Sequence, residues 1–184
     1  MWNIIAVLLV LAIVAVGVVE AYQQYGGASS QQQAQDLAQE VAQSIGAING
    51  VYTNPDFTNL TNQVVYNIKA APSDWQGTGT SAFLLPEGGT ASFAPASVNG
   101  GTDNGYKMIL SNLNASECSV LGSFTTPNMA SVAINSTTAA NPAFTSSAGG
   151  GTGGGASTAM WPKNMVSDCT AGATNTVTFT LVGE

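Results

Sequence analysis

The 184-residue chain contains no histidine and very little charge. Three Lys and Arg residues stand against ten Asp and Glu residues, which gives a net charge of −7, and only 7% of the sequence is charged. A soluble domain usually has about 25%. Three scattered cations cannot displace the counterions of a nucleic acid, so we exclude a nucleic-acid partner. The lack of histidine and the presence of only two cysteines exclude imidazole catalysis and a structural zinc site.

Uncharged residues fill the rest of the chain. Apolar residues make up 45% of the sequence, and 21 residues are glycine. The apolar content is enough for one core of moderate size. The ten carboxylates are dispersed, and Asp36 with Glu40 is the only pair at helical spacing, on a Gln-rich face. We therefore expect no enzymatic activity, no cofactor and no metal site.

Residues 1–19 carry no charge, and their one polar side chain is Asn3. As a helix this segment would span about 30 Å, close to the hydrocarbon thickness of a bilayer. A secretory signal would add a basic region and a small-residue cleavage site, whereas the first lysine here is Lys69. The segment predicts a membrane-insertable helix, and we expect any basic leader to lie upstream and to have been removed.

The helical pattern continues beyond Glu20. Apolar residues recur at spacings of three and four, which predicts one buried stripe; they are Ala34, Leu37, Val41, Ile45 and Ile48. The opposite face is rich in glutamine. Glycine weakens helices, so Gly17, Gly26 and Gly27 are the predicted hinge positions. The pattern favours one long helix with an apolar first half and an amphipathic second half, and two helices joined at residues 25–30 are the alternative.

Short runs typical of β-strands follow residue 50, separated by Gly, Asn and Pro turns. The predicted strands cover residues 64–68, 82–85, 91–93, 106–111, 131–134 and 174–182. The last run alternates apolar residues with threonine, as in a half-buried strand. The glycine tract 149–155 lacks the lysine of a phosphate-binding loop and is predicted to be a surface loop.

Cys118 and Cys169 are the only cysteines. An even number in a chain with a predicted membrane-insertable helix favours a disulfide, and two free buried thiols are the alternative. A catalytic cysteine would need a neighbouring base, and the chain has no histidine to provide one. The bridge would enclose residues 118–169, including the glycine tract.

These elements resemble those of type IV pilins, and of the type IVb branch in particular. The resemblance rests on AINGVY at residues 47–52, EGG at 87–89, GYKMILSNL at 105–113 leading into Cys118, and Asp168-Cys169 ahead of a final strand. It covers nearly the whole chain in the same order. One departure is Ile5, because such pilins usually carry glutamate at the fifth mature position.

The resemblance implies an α+β fold in which a long N-terminal helix packs on an antiparallel sheet, with a C-terminal disulfide loop. The expected parts are an apolar helix at 1–25, an amphipathic half at 26–50 and a globular head at 51–184. The residues expected at the helix interfaces of a filament core are Met1, Trp2, Asn3, Ile4, Ile5, Leu8, Leu9, Leu11, Ile13, Val16 and Gly17.

The implied function is that of the major subunit of a type IVb-like pilus, used for adhesion, aggregation or conjugative mating. Its expected partners are further copies of itself, the inner membrane before assembly, a prepilin peptidase and the pilus assembly machinery. The final location would be a surface filament. The alternatives are a minor pilin or tip adhesin that binds a glycan through Trp75 or Trp161, and a secretion-system pseudopilin.

Overall fold

A computed structural model describes residues 29–52, 56–135, 137–140, 165–171 and 174–183. It contains a helix on an antiparallel sheet, as the sequence predicts. In chain order the elements are α1 (29–51), α2 (Asn62–Asn67), β1 (Phe83–Leu84), β2 (Thr90–Ala96), β3 (Gly105–Leu113), α3 (Ala115–Ser123), β4 (Met129–Ile134), β5 (Thr137–Ala140), a 3-10 turn (Met165–Asp168) and β6 (Asn175–Val182).

The six strands form one sheet in the order β1-β2-β3-β6-β4-β5, and all neighbours are antiparallel. The last strand along the chain, β6, therefore lies between β3 and β4. Residues alternate between the two faces, as they must in a strand. Met108, Phe179 and Val132 lie side by side on the core face and are fully buried.

Helix α1 packs on this core face through the predicted stripe. Ala34, Leu37, Val41, Ile45 and Ile48 are each at most 4% exposed, while the glutamines at positions 31, 32, 35, 39 and 43 are exposed. Burying large aliphatic side chains stabilises the fold by about 1.5–3 kcal/mol each. The predicted amphipathic character is thus confirmed over the described part of the helix.

The end of α1 is fixed to the sheet by an aromatic cluster. The Tyr106 hydroxyl donates to Asn49 Oδ1 at 3.2 Å, and burial raises the pKa of this phenol, which keeps it a donor. Phe57 lies between the rings of Tyr52 and Tyr106, at centroid distances of 4.8 and 5.0 Å. These contacts connect the end of α1, through Asn49 and Tyr52, to strand β3.

The strand prediction for residues 64–68 is wrong, because this segment forms α2. Thr61 caps the helix, its Oγ1 accepting from Val64 N–H at 3.4 Å. The helix ends in a Schellman motif: Ala70 N–H donates to the Val65 carbonyl and Lys69 N–H to that of Tyr66. Lys69 adopts φ 56° at the left-handed position that glycine usually fills. A run of five apolar-rich residues does not distinguish a strand from a helix.

The other five strand predictions are confirmed, with ends shifted by one or more residues. Two elements were not predicted from the sequence. They are α3 and β5, and β5 is identified by its pairing with β4. Within the described ranges, no helix is both long and apolar enough to cross a membrane. The predicted apolar helix at 1–25 lies outside those ranges.

Candidate functional site

The Cys118–Cys169 disulfide joins α3 to the segment that precedes β6. Its Cα atoms are 5.8 Å apart, within the usual range. Cys118 is fully buried, and Cys169 packs at the margin of the core. The predicted bridge is present, and it closes a sequence separation of 51 residues. Such a loop stabilises the fold by about 4 kcal/mol in the chain-entropy model.

Asn175, the first residue of β6, holds the cysteine-bearing segment from inside the molecule. This side chain is fully buried. Its Oδ1 accepts from Thr170 N–H at 2.8 Å and from the Thr170 hydroxyl at 3.0 Å. Its Nδ2 donates to the carbonyls of Leu113 at 3.2 Å and Thr170 at 3.0 Å. One amide therefore joins the end of β3, the start of β6 and the residue after Cys169.

A second asparagine extends this network to β4. Asn135 Nδ2 donates to the Asp168 carbonyl at 2.9 Å and to Asn175 Oδ1 at 3.2 Å. Its Oδ1 accepts from Thr176 N–H at 2.9 Å. Asn135 has φ 52°, a left-handed conformation that asparagine tolerates better than most residues. The asparagine pair and the disulfide together attach the short segment 168–170 to the sheet.

Helix α3 supplies the other half of the bridge and begins with a complete capping box. Asn114 Oδ1 accepts from Glu117 N–H, and Glu117 Oε2 accepts from Asn114 N–H, both at 2.9 Å. Glu117 is 2% exposed, and its Oε1 has no hydrogen-bond partner within the described structure. Burial raises the pKa of this carboxyl, the hydrogen bond from Asn114 opposes the shift, and nearby Glu87 adds to it.

The sequence of this chain is similar to those of known proteins. A family model described as PilS N terminal matches residues 28–182. The chain belongs to this family. Together with the pilus subunits described next, this membership confirms the predicted resemblance to pilins.

Two curated relatives of this pilin come from Escherichia coli O127:H6 and Escherichia coli O111:H-. Each is named major structural subunit of bundle-forming pilus and is 31% identical to the pilin over 113 residues. The match covers 61% of the pilin and 56% of each relative, so it spans little more than half of their length. A type IVb pilin from Salmonella typhi, known from a crystal structure, is 20% identical, with a TM-score of 0.49 over 85% of this chain and 99% of its own.

Several predicted functional residues of the pilin lie outside the described ranges. These are the filament-core residues from Met1 to Gly17, the hinge glycines Gly17, Gly26 and Gly27, the glycine tract 149–155, and Trp161. Of the predicted functional residues, the two cysteines lie within the described ranges, and the structure joins them in a disulfide. The helix interface and the hinge remain predictions.

Trp75, the second tryptophan considered for glycan binding, is a core residue. It is 5% exposed, and its ring lies 6.4 Å from those of Phe83 and Phe93 between centroids. Its indole Nε1 donates to Glu40 Oε2 at 2.7 Å. Glu40 was expected to be a solvated residue of the Gln-rich face, and it instead ties α1 to the loop before β1. Trp75 is therefore not available as an exposed platform for a sugar.

The carboxylates of the described residues do not form a metal centre. No group of three or more His, Cys, Asp or Glu side chains in the described ranges could hold a metal ion. Asp56 is exposed, and two hydrogen bonds from Thr58 lower the pKa of its carboxyl. Asp56 thus makes a local turn contact, and Glu117 is part of a helix cap.

Sequence reasoning missed the two asparagines, although the sequence contains a signal for one of them. Asn175 has the same parity as Val177, Phe179 and Leu181, the buried residues of the alternating strand. A polar residue in the buried phase of a strand must find partners inside the protein, because an unpaired buried amide is costly. Asn135 carries no comparable signal, since it ends β4 in a polar turn.

Proposed function

We propose that this pilin is the major structural subunit of a type IVb pilus, with a structural and non-enzymatic role. The observation that carries the proposal is the placement of α1. Its buried stripe fixes it along the core face of the sheet, and in the sequence the apolar segment 1–19 precedes it by nine residues. The head would thus be attached to a helix suited first to a membrane and then to a filament core.

Polymerisation follows from what the apolar segment needs after it leaves the bilayer. Nineteen uncharged residues must be buried again, and copies of the same segment can do this. A heterologous contact that does not close produces a helical filament of unlimited length. Small residues at positions 6, 12, 15 and 17 would let neighbouring helices approach closely.

This proposal includes several partners and two locations. Before assembly the chain would be anchored in the inner membrane, where a prepilin peptidase and the assembly machinery act on it. After assembly it would form a surface filament that serves adhesion, aggregation or conjugative mating. The bundle-forming pilus subunits support the filament role, since each of them is 31% identical to this chain over 113 residues.

Shear release of surface filaments tests the proposal directly. We expect filaments composed mainly of this chain, with residues 1–19 protected from protease until the filament is dissociated. Ala12→Phe should prevent assembly, because the larger ring keeps neighbouring helices apart. Ala12→Ser keeps the small size and should assemble.

A control measurement keeps the outcome interpretable. Membrane fractionation shows whether Ala12→Phe still inserts, which its apolar character predicts. Filaments that lack this chain would refute the proposal. Normal filaments from Ala12→Phe would refute the packing of these helices in the core.

A further inference from the structure

The outer face of the sheet, opposite α1, carries one charged residue. Among the six described strands the only charged side chain is that of Lys107. It lies on β3 between Ala94 of β2 and Thr180 of β6, and it is exposed. Its cross-strand neighbours are short, so they do not cover the ammonium group.

Lys107 makes no ion pair with any carboxylate in the described part of the chain. The rest of its row across the sheet is Ser131 and Ala140. Helices α1 and α3 both contact the opposite face, since Asn49 bonds to Tyr106 and Phe124 packs on Phe179. Within the described ranges, the strand residues of this face are uncharged apart from Lys107, which has no ion-pair partner there.

The side of the molecule that carries α1 has the opposite charge. Asp36, Glu40, Asp74 and Glu87 line a groove of about 200 Å³ between α1 and the loops on either side of β1. Three of them, Asp36, Glu40 and Asp74, also line an adjoining groove of about 330 Å³. The two grooves therefore present carboxylates to which an incoming cation would be attracted.

We propose that the outer sheet face of one subunit docks, through Lys107, against the carboxylate-lined groove of a second copy. Charge complementarity carries the choice of partner. The two surfaces differ and lie on opposite sides of the molecule, so their contact is heterologous and can repeat from subunit to subunit. This inference rests on the proposed filament function and adds a contact between heads to the one between apolar helices.

The contact can be tested on wild-type filaments with a water-soluble carbodiimide, which joins an amine to a carboxylate only when the two are in contact. We expect cross-linked dimers on denaturing gels. Chymotryptic peptides should show Lys107 joined to Asp36, Glu40, Asp74 or Glu87. Lys107→Gln should lose these peptides, whereas Lys69→Gln, at the other described lysine, should keep them.

Each result decides the proposal. Absence of any Lys107 cross-link in intact filaments overturns it, and so does a cross-link from Lys107 to a carboxylate outside the groove or to a foreign protein. Dissociated subunits provide the baseline, since a link that persists in monomers is intramolecular and also overturns it. A failure of the wild-type chain to form filaments at all would refute the proposed function instead, so the two failures are distinguishable.

Discussion

Replacing Asn175 with alanine should destabilise the head more than any other single change of a strand asparagine or threonine. The substitution removes the hydrogen bonds that the amide makes with Thr170 N–H and with the carbonyls of Thr170 and Leu113. A hydrogen bond contributes about 1 kcal/mol net, and a buried group left unpaired costs about 1–3 kcal/mol. The bond to the Leu113 carbonyl is buried. We therefore expect a loss of about 3–4 kcal/mol.

A loss of that size should be visible in thermal unfolding. For a chain of this length 1 kcal/mol corresponds to about 2–4 °C in Tm, so Asn175→Ala should lower Tm by roughly 10 °C. The assay is near-ultraviolet circular dichroism of the purified chain in mild detergent. Core Trp75 and its aromatic neighbours report on the packing of the head.

Thr178→Ala is the matched control. Thr178 lies on the same strand but on the outer, half-exposed face, where strand propensities differ by about 1 kcal/mol at most. If Asn175→Ala loses no more stability than Thr178→Ala, then the buried amide does not hold the cysteine-bearing segment and our account of the network is wrong.

Three further predictions concern the disulfide, Glu117 and Lys69. Replacing both cysteines with alanine should cost up to about 4 kcal/mol, and wild-type protein treated with reductant should match the double variant in Tm; equal stability of the bridged and unbridged forms would contradict this. Burial raises the pKa of Glu117, so the folded state binds a proton more readily than the unfolded state and stability should fall as pH rises from about 4.5. Glu117→Gln should remove this slope, measured as Tm against pH relative to wild type, and an unchanged slope would count against it. Lys69→Gly should be about 1 kcal/mol more stable than Lys69→Ala, because glycine adopts the left-handed φ without strain; the reverse order in thermal unfolding would exclude strain at this position.

The parts of the fold that the sequence predicts are those with a clear period. The stripe from Ala34 to Ile48 repeats at helical spacing, and β6 alternates strictly, so local geometry alone assigns both. Neither period says which strands become neighbours. The position of β6 between β3 and β4 depends on long-range pairing, which no local pattern encodes.

The errors have physical reasons of the same kind. Residues 64–68 are rich in valine and isoleucine, which favour strands, but the cap at Thr61 and the Schellman ending select a helix. The start of α3 carries a readable capping box in Asn114 and Glu117. Its apolar residues are too few to show a period over nine residues. The short strand β5 has no alternation of apolar and polar residues that would predict it. It is recognised only by its antiparallel pairing with β4.

For the candidate site, the sequence predicts the disulfide but not the asparagine network around it. Only two cysteines are present, so their pairing needs no geometry beyond proximity. The network depends on where the chain turns after β3, β4 and Cys169. Those turns become neighbours only once the sheet has formed.

The central position of β6 sets the order in which the head can mature. Strands β3 and β4 are separated in the sheet by a strand that comes more than 40 residues after β4 in the chain. Until residues 175–182 arrive, the sheet consists of two halves with exposed hydrogen-bonding edges, a state prone to pairing with the wrong chain. Insertion of β6 closes the sheet and brings Asn175 and Cys169 into place in one event. In the proposed filament, a subunit would present its finished surface only after this last described strand is in position.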